Sequence, residues 1–327
     1  MKFSAHHERF ELARPFVIAR GSRTHQDVVV ATVEIGDRSG SAECTPYARY
    51  GESIDSVIEQ IEHFNLQLKQ HSVLSPGWVH QQLVPQLPAG AARNAIDCAL
   101  WRLNAQASFP APLFEIKPQI VTALTVSIDT PVNMAQQARE LSRQGAKLLK
   151  VKLDAENVIE RVAAVRKQAP KCEIILDANE AWEALALPEL FQALTRYDIR
   201  MIEQPVPAGK DNLLKGIPHP ISLCADESCH TSDDIAGMIG CYEMVNIKLD
   251  KTGGLTEAIK LADQARKQGL EIMVGCMVGT SLAMEAALPV ASQADLVDLD
   301  GPVLLKKDRE NGLVYKNGLL VAREQFR

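Results

Sequence analysis

The stretch KLLKVKLD, Lys147 to Asp154, sets two lysines into a run of leucine and valine. Side chains alternate across an extended chain, so Leu148, Lys150 and Lys152 share one face while Leu149, Val151 and Leu153 share the other. Similar short apolar runs recur along the rest of the chain: TALTVSI near 125, EIILDAN near 176, IRMIEQP near 202, ISLCADE near 224, MVNIKLD near 247, EIMVGCM near 274 and DLVDLDG near 298. Counting KLLKVKLD there are eight, about every 25 residues, with helically spaced segments between them. Strand–helix alternation at this period predicts a parallel sheet closed into a barrel.

The first hundred or so residues follow another pattern. VVVATVEI, Val28 to Ile35, is β-branched and strand-like, and Glu52 to Lys69 has helical apolar spacing. PAGAARNAIDCALWRLNAQA, Pro88 to Ala107, predicts a helix with Ile96, Leu100, Trp101 and Leu103 available for burial. PAPLFEIKP, from Pro110, is a proline-punctuated connector. After the eighth strand, ENGLVYKNGLLVA places Asn-Gly between apolar runs, a hairpin signal. The expected fold is therefore α/β: a modified TIM barrel, (β/α)7β, at 113–302. An N-terminal α+β capping domain at 1–112 is completed by the C-terminal tail at 303–327.

Composition narrows the partners. The formal net charge is −6 and no basic tract appears, which argues against a nucleic-acid surface. No window approaches the roughly 20 apolar residues that a membrane span needs, and MKFSAHHERF lacks an apolar targeting core. Seven cysteines, an odd number without a CxxC pair, fit reduced thiols and a cytoplasmic location. Cys224, Cys229 and His230 lack a fourth ligand at a spacing usual for zinc.

In such barrels the C-terminal strand ends build the active site. Here Lys152 ends the second strand, Asp177 the third, Glu203 the fourth and Asp226 the fifth, while Lys248 lies near the end of the sixth. The eighth adds Asp298 and Asp300 on one face, and Thr125, Cys276 and Met277 end the first and seventh. Any one of these acids taken alone also reads as half of an inert buried ion pair; Thr125, Cys276 and Met277 read equally as pocket lining and as packing, and Lys150 is counted with the substrate-binding candidates. Jointly, three carboxylates on neighbouring strands suit a hard divalent cation such as Mg2+, with Mn2+ fitting nearly as well. A lysine must be neutral to act as a base, so Lys150 is expected, with the metal, to lower the pKa of Lys152.

At these residues the chain resembles the dipeptide epimerase branch of the enolase superfamily. The matching motifs, in order, are KVK at Lys150–Lys152, DAN at Asp177–Asn179, EQP at Glu203–Pro205, ADES at Ala225–Ser228, NIKLDKTGG at Asn246–Gly254 and DLDGP at Asp298–Pro302. RGSR from Arg20, ECTPYARYGES from Glu43 and the PAGAARNAIDCALW helix extend the likeness to the N-terminal third. The resemblance implies that Asp177, Glu203 and Asp226 hold Mg2+, and that Lys152 and Lys248 are acid/base catalysts on opposite faces of one α-carbon. It places Asp298 and Asp300 on the free α-ammonium of a dipeptide, and Arg23 on a glutamate side-chain carboxylate. The implied activity is epimerisation of L-Ala-D-Glu and L-Ala-L-Glu during reuse of cell-wall peptides. Another dipeptide, a muconate cycloisomerase or an o-succinylbenzoate synthase would use the same lysines and acids. A Schiff-base aldolase or a non-catalytic barrel are rivals from other classes. One departure is Arg102 in ALWRL, where the family often has aspartate.

Overall fold

The structure is a computed structural model that describes residues 1–71, 75–105 and 115–323. The expected boundary near residue 112 and most of the PAPLFEIKP connector lie outside the described residues.

The N-terminal unit is an antiparallel sheet of β1 (Lys2–Ile18), β2 (Gly21–Ile35) and β3 (Arg38–Cys44), covered by α1 (Ile54–Leu68), α2 (Pro76–Gln86) and α3 (Ala91–Ala105). Ser53 caps α1 through the Ser56 N–H, and Val57, Ile61, Phe64 and Leu68 form its buried stripe. Strand β3 meets α3 so closely that a Cβ on Gly40 would lie 2.2 Å from the Ala99 carbonyl oxygen. Arg102 on α3 bonds Glu285 of the barrel at 2.8 Å, so the residue that departs from the family pattern bridges the two units.

After β4 (Gln119–Val121), eight parallel strands lie side by side in chain order. They are β5 (Ala123–Val126), β6 (Leu148–Lys152), β7 (Glu173–Asp177), β8 (Met201–Glu203), β9 (Ser222–Ala225), β10 (Met244–Ile247), β11 (Glu271–Gly275) and β12 (Leu296–Asp298). Helices α4 (Pro131–Arg143), α5 (Val158–Gln168) and α6 (Leu187–Leu194) cover the first half. Short α7 (Ile235–Met238) and α8 (Leu249–Thr252) precede α9 (Leu255–Lys267) and α10 (Ser281–Ala291). The connection after β8 holds only a 3-10 turn at Asp211–Leu213, where a full helix was expected. Pro205, Pro207, Gly209, Gly216, Pro218 and Pro220 explain the difference, because each interrupts helical hydrogen bonding or raises the entropy lost in a helix.

The barrel closes where its first strand meets its last. Thr122 Oγ1 accepts the Leu299 N–H at 2.9 Å, and Asp300 Oδ2 accepts the Thr125 N–H at 2.8 Å. Ala123, Leu148, Ile175, Met201, Cys224, Met244, Met273 and Leu296, one from each strand, fill the barrel floor. The tail touches the N-terminal unit through Lys306 N–H to the Glu11 carbonyl at 2.8 Å and through Arg309 to Glu43 at 2.8 Å. It then forms the expected hairpin, β13 (Val314–Lys316) and β14 (Leu319–Val321), turning at Asn317–Gly318. That hairpin pairs with β4 on the side where the barrel strands begin, and not with the N-terminal sheet.

Thr122→Val keeps the side-chain shape but strands the buried Leu299 N–H, at about 1–3 kcal/mol. The expected result is a thermal midpoint lowered by roughly 2–6 °C; an unchanged melting curve would show that barrel closure does not use this bond.

Candidate active site

Two residues beyond each floor position, the strands present Thr125, Lys150, Asp177, Glu203, Asp226, Asn246, Gly275 and Asp298. A step of two returns to the same face of a strand, so this row stands directly above the apolar floor. One further step along the chain brings Lys152, Lys248, Met277 and Asp300. The sequence-selected residues therefore converge on one end of the barrel.

The Lys150 ammonium lies at the centre. Its Nζ is 3.1 Å from Asp177 Oδ2, 2.7 Å from Glu203 Oε2 and 2.8 Å from Asp298 Oδ2, and the residue is 1% exposed. Burial works against the charge, but Asp298, Glu203 and Asp177 outweigh it and hold Lys150 protonated, well above the usual lysine range. Lys152 Nζ sits 2.5 Å from Asp177 Oδ2, and Lys248 Nζ 2.5 Å from Asp226 Oδ2. Strands β7, β8 and β9, which carry the three acids, separate the two lysines.

Each of those acids has one oxygen anchored by the protein. Asp177 Oδ1 accepts the Asn179 N–H at 2.9 Å, Glu203 Oε1 accepts the Asn246 amide at 2.8 Å, and Asp226 Oδ1 lies 2.7 Å from Lys251 Nζ. The other oxygens, Asp177 Oδ2, Glu203 Oε2 and Asp226 Oδ2, all turn to lysine ammoniums. Glu203 Oε2 is buried and makes no hydrogen bond, only the ion contact. Burial raises Asp177, but Lys152 and Lys150 prevail and hold it below the usual carboxylate range. Burial and the Asp177 charge raise Glu203 to about 7.

Among the described residues no three acids or other ligating side chains already surround a single point. The donor set nonetheless fits a hard divalent cation: three carboxylate oxygens, one from each of three adjacent strand ends, each already paired with positive charge.

Asp298 serves Lys150, while Asp300 is tied to the Thr125 N–H and is raised to about 7 by burial and the Asp298 charge. Cys276 and Met277 follow β11 at the rim, half-buried, and Cys276 feels both Asp298 and Asp300.

The tip of the β1–β2 hairpin lies across this end of the barrel. Arg20 donates to the Asn179 carbonyl at 3.1 Å, Glu180 at 3.0 Å and Glu227 at 2.6 Å, and to the Tyr47 hydroxyl. Arg49 also bonds Glu180, at 2.9 Å. Beneath the tip, Phe16 packs with Leu12, Val278 and Leu305. Arg23 lies over the Phe16 ring at 5.4 Å, half-buried, and has no ion pair among the described residues. Burial lowers its pKa from the usual arginine range.

Sequence reasoning left Asn246, Gly275 and Glu227 unassigned. A Cβ on Gly275 would lie 2.6 Å from Asn246 Oδ1, so glycine there keeps the Asn246 amide on Glu203. The legible signal was the step of two, which singles out both positions once the strands are aligned.

Residues 2–115 match the mandelate racemase / muconate lactonizing enzyme N-terminal domain, and residues 133–325 the enolase C-terminal domain-like family. The chain belongs to the enolase superfamily. Within it, the chain is 49% identical over 96% of its length to an L-Ala-D/L-Glu epimerase of Escherichia coli, covering 97% of that protein. It is 46% identical over 89% of its length to an N-acetyl-D-glutamate racemase of Pseudoalteromonas, covering 91% of that protein. A dipeptide epimerase from Enterococcus faecalis, solved with Mg and L-Leu-L-Tyr, superimposes with a TM-score of 0.90 at 30% identity, covering 99% of this chain and 97% of the other. The chain is an enzyme of the isomerase class.

Arg20→Ala removes the bonds to Asn179, Glu180, Glu227 and Tyr47; a net loss of about 1.5 kcal/mol, the low end for one charged hydrogen bond, is roughly tenfold in the opening of the hairpin tip. Amide exchange at residues 16–23 is expected to quicken by that factor; unchanged exchange would assign the hold to Phe16 packing alone.

Proposed function

We propose that this enzyme epimerises L-Ala-D-Glu and L-Ala-L-Glu by two-lysine proton transfer with Mg2+, in the cytoplasm, during reuse of peptides from bacterial peptidoglycan. The observation that carries the reading is the placement of Lys152 and Lys248 on either side of the Asp177, Glu203 and Asp226 row. Epimerisation needs one group to remove a proton from one face of a carbon and another to deliver one to the opposite face. Asp177, Glu203 and Asp226 would hold Mg2+ through the oxygens that face lysine ammoniums here, and the ion would supply fixed positive charge beside a substrate carboxylate.

The remaining roles follow from charge. Lys150 acts through the acids it joins and not by touching substrate, because its ammonium is already enclosed. Asp298 and Asp300, with Thr125 between strands and Cys276 and Met277 at the rim, form the end that receives the dipeptide ammonium. Arg23, half-buried and without an ion pair among the described residues, suits the glutamate carboxylate, which a guanidinium binds in bidentate fashion. All seven cysteines are free, and among the described residues no helix is long and apolar enough to cross a membrane, which supports the cytoplasmic placement.

A second reading, racemisation of an N-acylated glutamate, draws on the N-acetyl-D-glutamate racemase relative. The commitment of Asp298 to Lys150 and the raised Asp300 favour it, since together they present less than two full negative charges to an amine. A higher kcat/KM for N-acetyl-L-glutamate than for L-Ala-L-Glu would move the substrate class there.

Proton NMR in D2O with L-Ala-L-Glu should show loss of the glutamate α-proton signal and appearance of the L,D diastereomer only when Mg2+ is present. Lys152→Ala should abolish epimerisation yet leave solvent exchange for a single stereoisomer; equal exchange from both isomers would refute the two-face assignment. Arg23→Met should lower kcat/KM for L-Ala-L-Glu by on the order of 30-fold or more while sparing L-Ala-L-Leu. Equal losses on both dipeptides would remove Arg23 from side-chain recognition.

A further inference from the structure

The turn from Asp226 to Cys229 carries both a carboxylate of the central row and Glu227, the partner of Arg20. Its backbone groups are held by two buried side chains. Gln204 Oε1 accepts the N–H groups of Asp226 at 2.8 Å and Ser228 at 3.2 Å. From the other side, Lys251 Nζ donates to the carbonyls of Asp226 and of Cys229, the latter at 2.9 Å, and to the Asn246 carbonyl at 2.9 Å. One side chain thus satisfies the turn's donors and the other its acceptors.

Neither group is placed to meet a substrate. Gln204 follows the inward-facing Glu203 and so turns away from the barrel axis; it is 0% exposed, and Lys251 is 1% exposed. The Gln204 amide nitrogen is itself fixed by its two N–H groups, which are shared among the Val206 carbonyl at 2.8 Å, Ser228 Oγ at 2.8 Å and the Tyr242 hydroxyl at 3.0 Å. Its backbone N–H reaches the Cys224 carbonyl and its own carbonyl accepts the Glu180 N–H, both at 2.9 Å, so three strand-end loops meet at one residue. Gln204 holds this place at φ 37°, a left-handed conformation unfavourable for a side chain of its kind. A strained glutamine and a buried ammonium both spent on one four-residue turn indicate that the position of that turn matters.

We propose that Gln204 is a positioning residue, with Lys251 as its counterpart, that sets Asp226 relative to Glu203 and Asp177 for binding one divalent cation. The inference rests on the cation site in the proposed function but not on the identity of the substrate. Residues behind the ligands of a metal typically alter its affinity by about 10–100-fold when changed.

The test compares two variants by titration calorimetry with Mg2+ alone, beside thermal melts. Gln204→Asn keeps the amide but withdraws it by one methylene from the turn, and should weaken Mg2+ binding about tenfold or more. Gln204→Glu retains an acceptor for both N–H groups and should bind within about threefold of wild type, with a lower melting temperature through lost amide donation. With Asn at wild-type affinity, whatever its melting temperature, Gln204 is only structural and the inference fails. Equal weakening in both variants overturns the assignment to Oε1, and a wild type that binds no Mg2+ removes the cation site and the inference together. Wild type that binds Mg2+ but leaves L-Ala-L-Glu unchanged refutes the substrate reading alone, and the Asn-to-Glu contrast still decides the role of Gln204.

Discussion

One buried ammonium organises the centre of this enzyme. Lys150 gathers Asp177, Glu203 and Asp298 from strands β7, β8 and β12, and none of those carboxylates could remain ionised in a dry barrel without cations close by. Lys152 and Lys248 continue the balance on the two flanks, and Lys251 extends it behind Asp226. Removing one charge from such a set leaves its neighbours uncompensated, so position and protonation are set jointly across six strands, β6 to β10 and β12.

The barrel was legible because its strands obey one rule at every turn of the chain: an apolar floor residue, then a chemical residue two positions on. Ile175 with Asp177, Met201 with Glu203 and Cys224 with Asp226 announce the rule through an acid inside an apolar run. Asn246 and Gly275 obey it too, but an amide and a glycine carry no charge to mark them. Their meaning needs the lateral contact between β10 and β11 that only the fold supplies. Gln204 and Lys251 lay inside recognised motifs, yet their bonds run to backbone groups of a third segment, which no linear spacing displays. The missing fourth helix was not anticipated, although proline and glycine are dense across residues 205–220. The hairpin tail was visible as Asn-Gly, but its partner strand β4 was not, because three residues make too short a pattern.

The two arginines of RGSR divide the work of the hairpin tip. Arg20 is spent on Glu180 and Glu227 and so closes the seam between the N-terminal unit and the barrel. Arg23 lies three residues on, with its guanidinium over Phe16 and no ion pair among the described residues. One short loop thereby supplies both a fastening and an available positive charge.

The order of the strands has a consequence for synthesis. Lys150 and Asp298 are 148 residues apart in the chain, and the Thr125 to Asp300 bond that helps close the barrel spans 175. A growing chain can pair β5 with β6, and β6 with β7, as each emerges, while the Lys150 ammonium gains its third carboxylate only with the eighth strand. The centre is thus among the last parts of the molecule to become complete, and contacts this distant in sequence are reached slowly. Until then the half-built sheet presents an open parallel edge, the kind of surface that invites association with other chains.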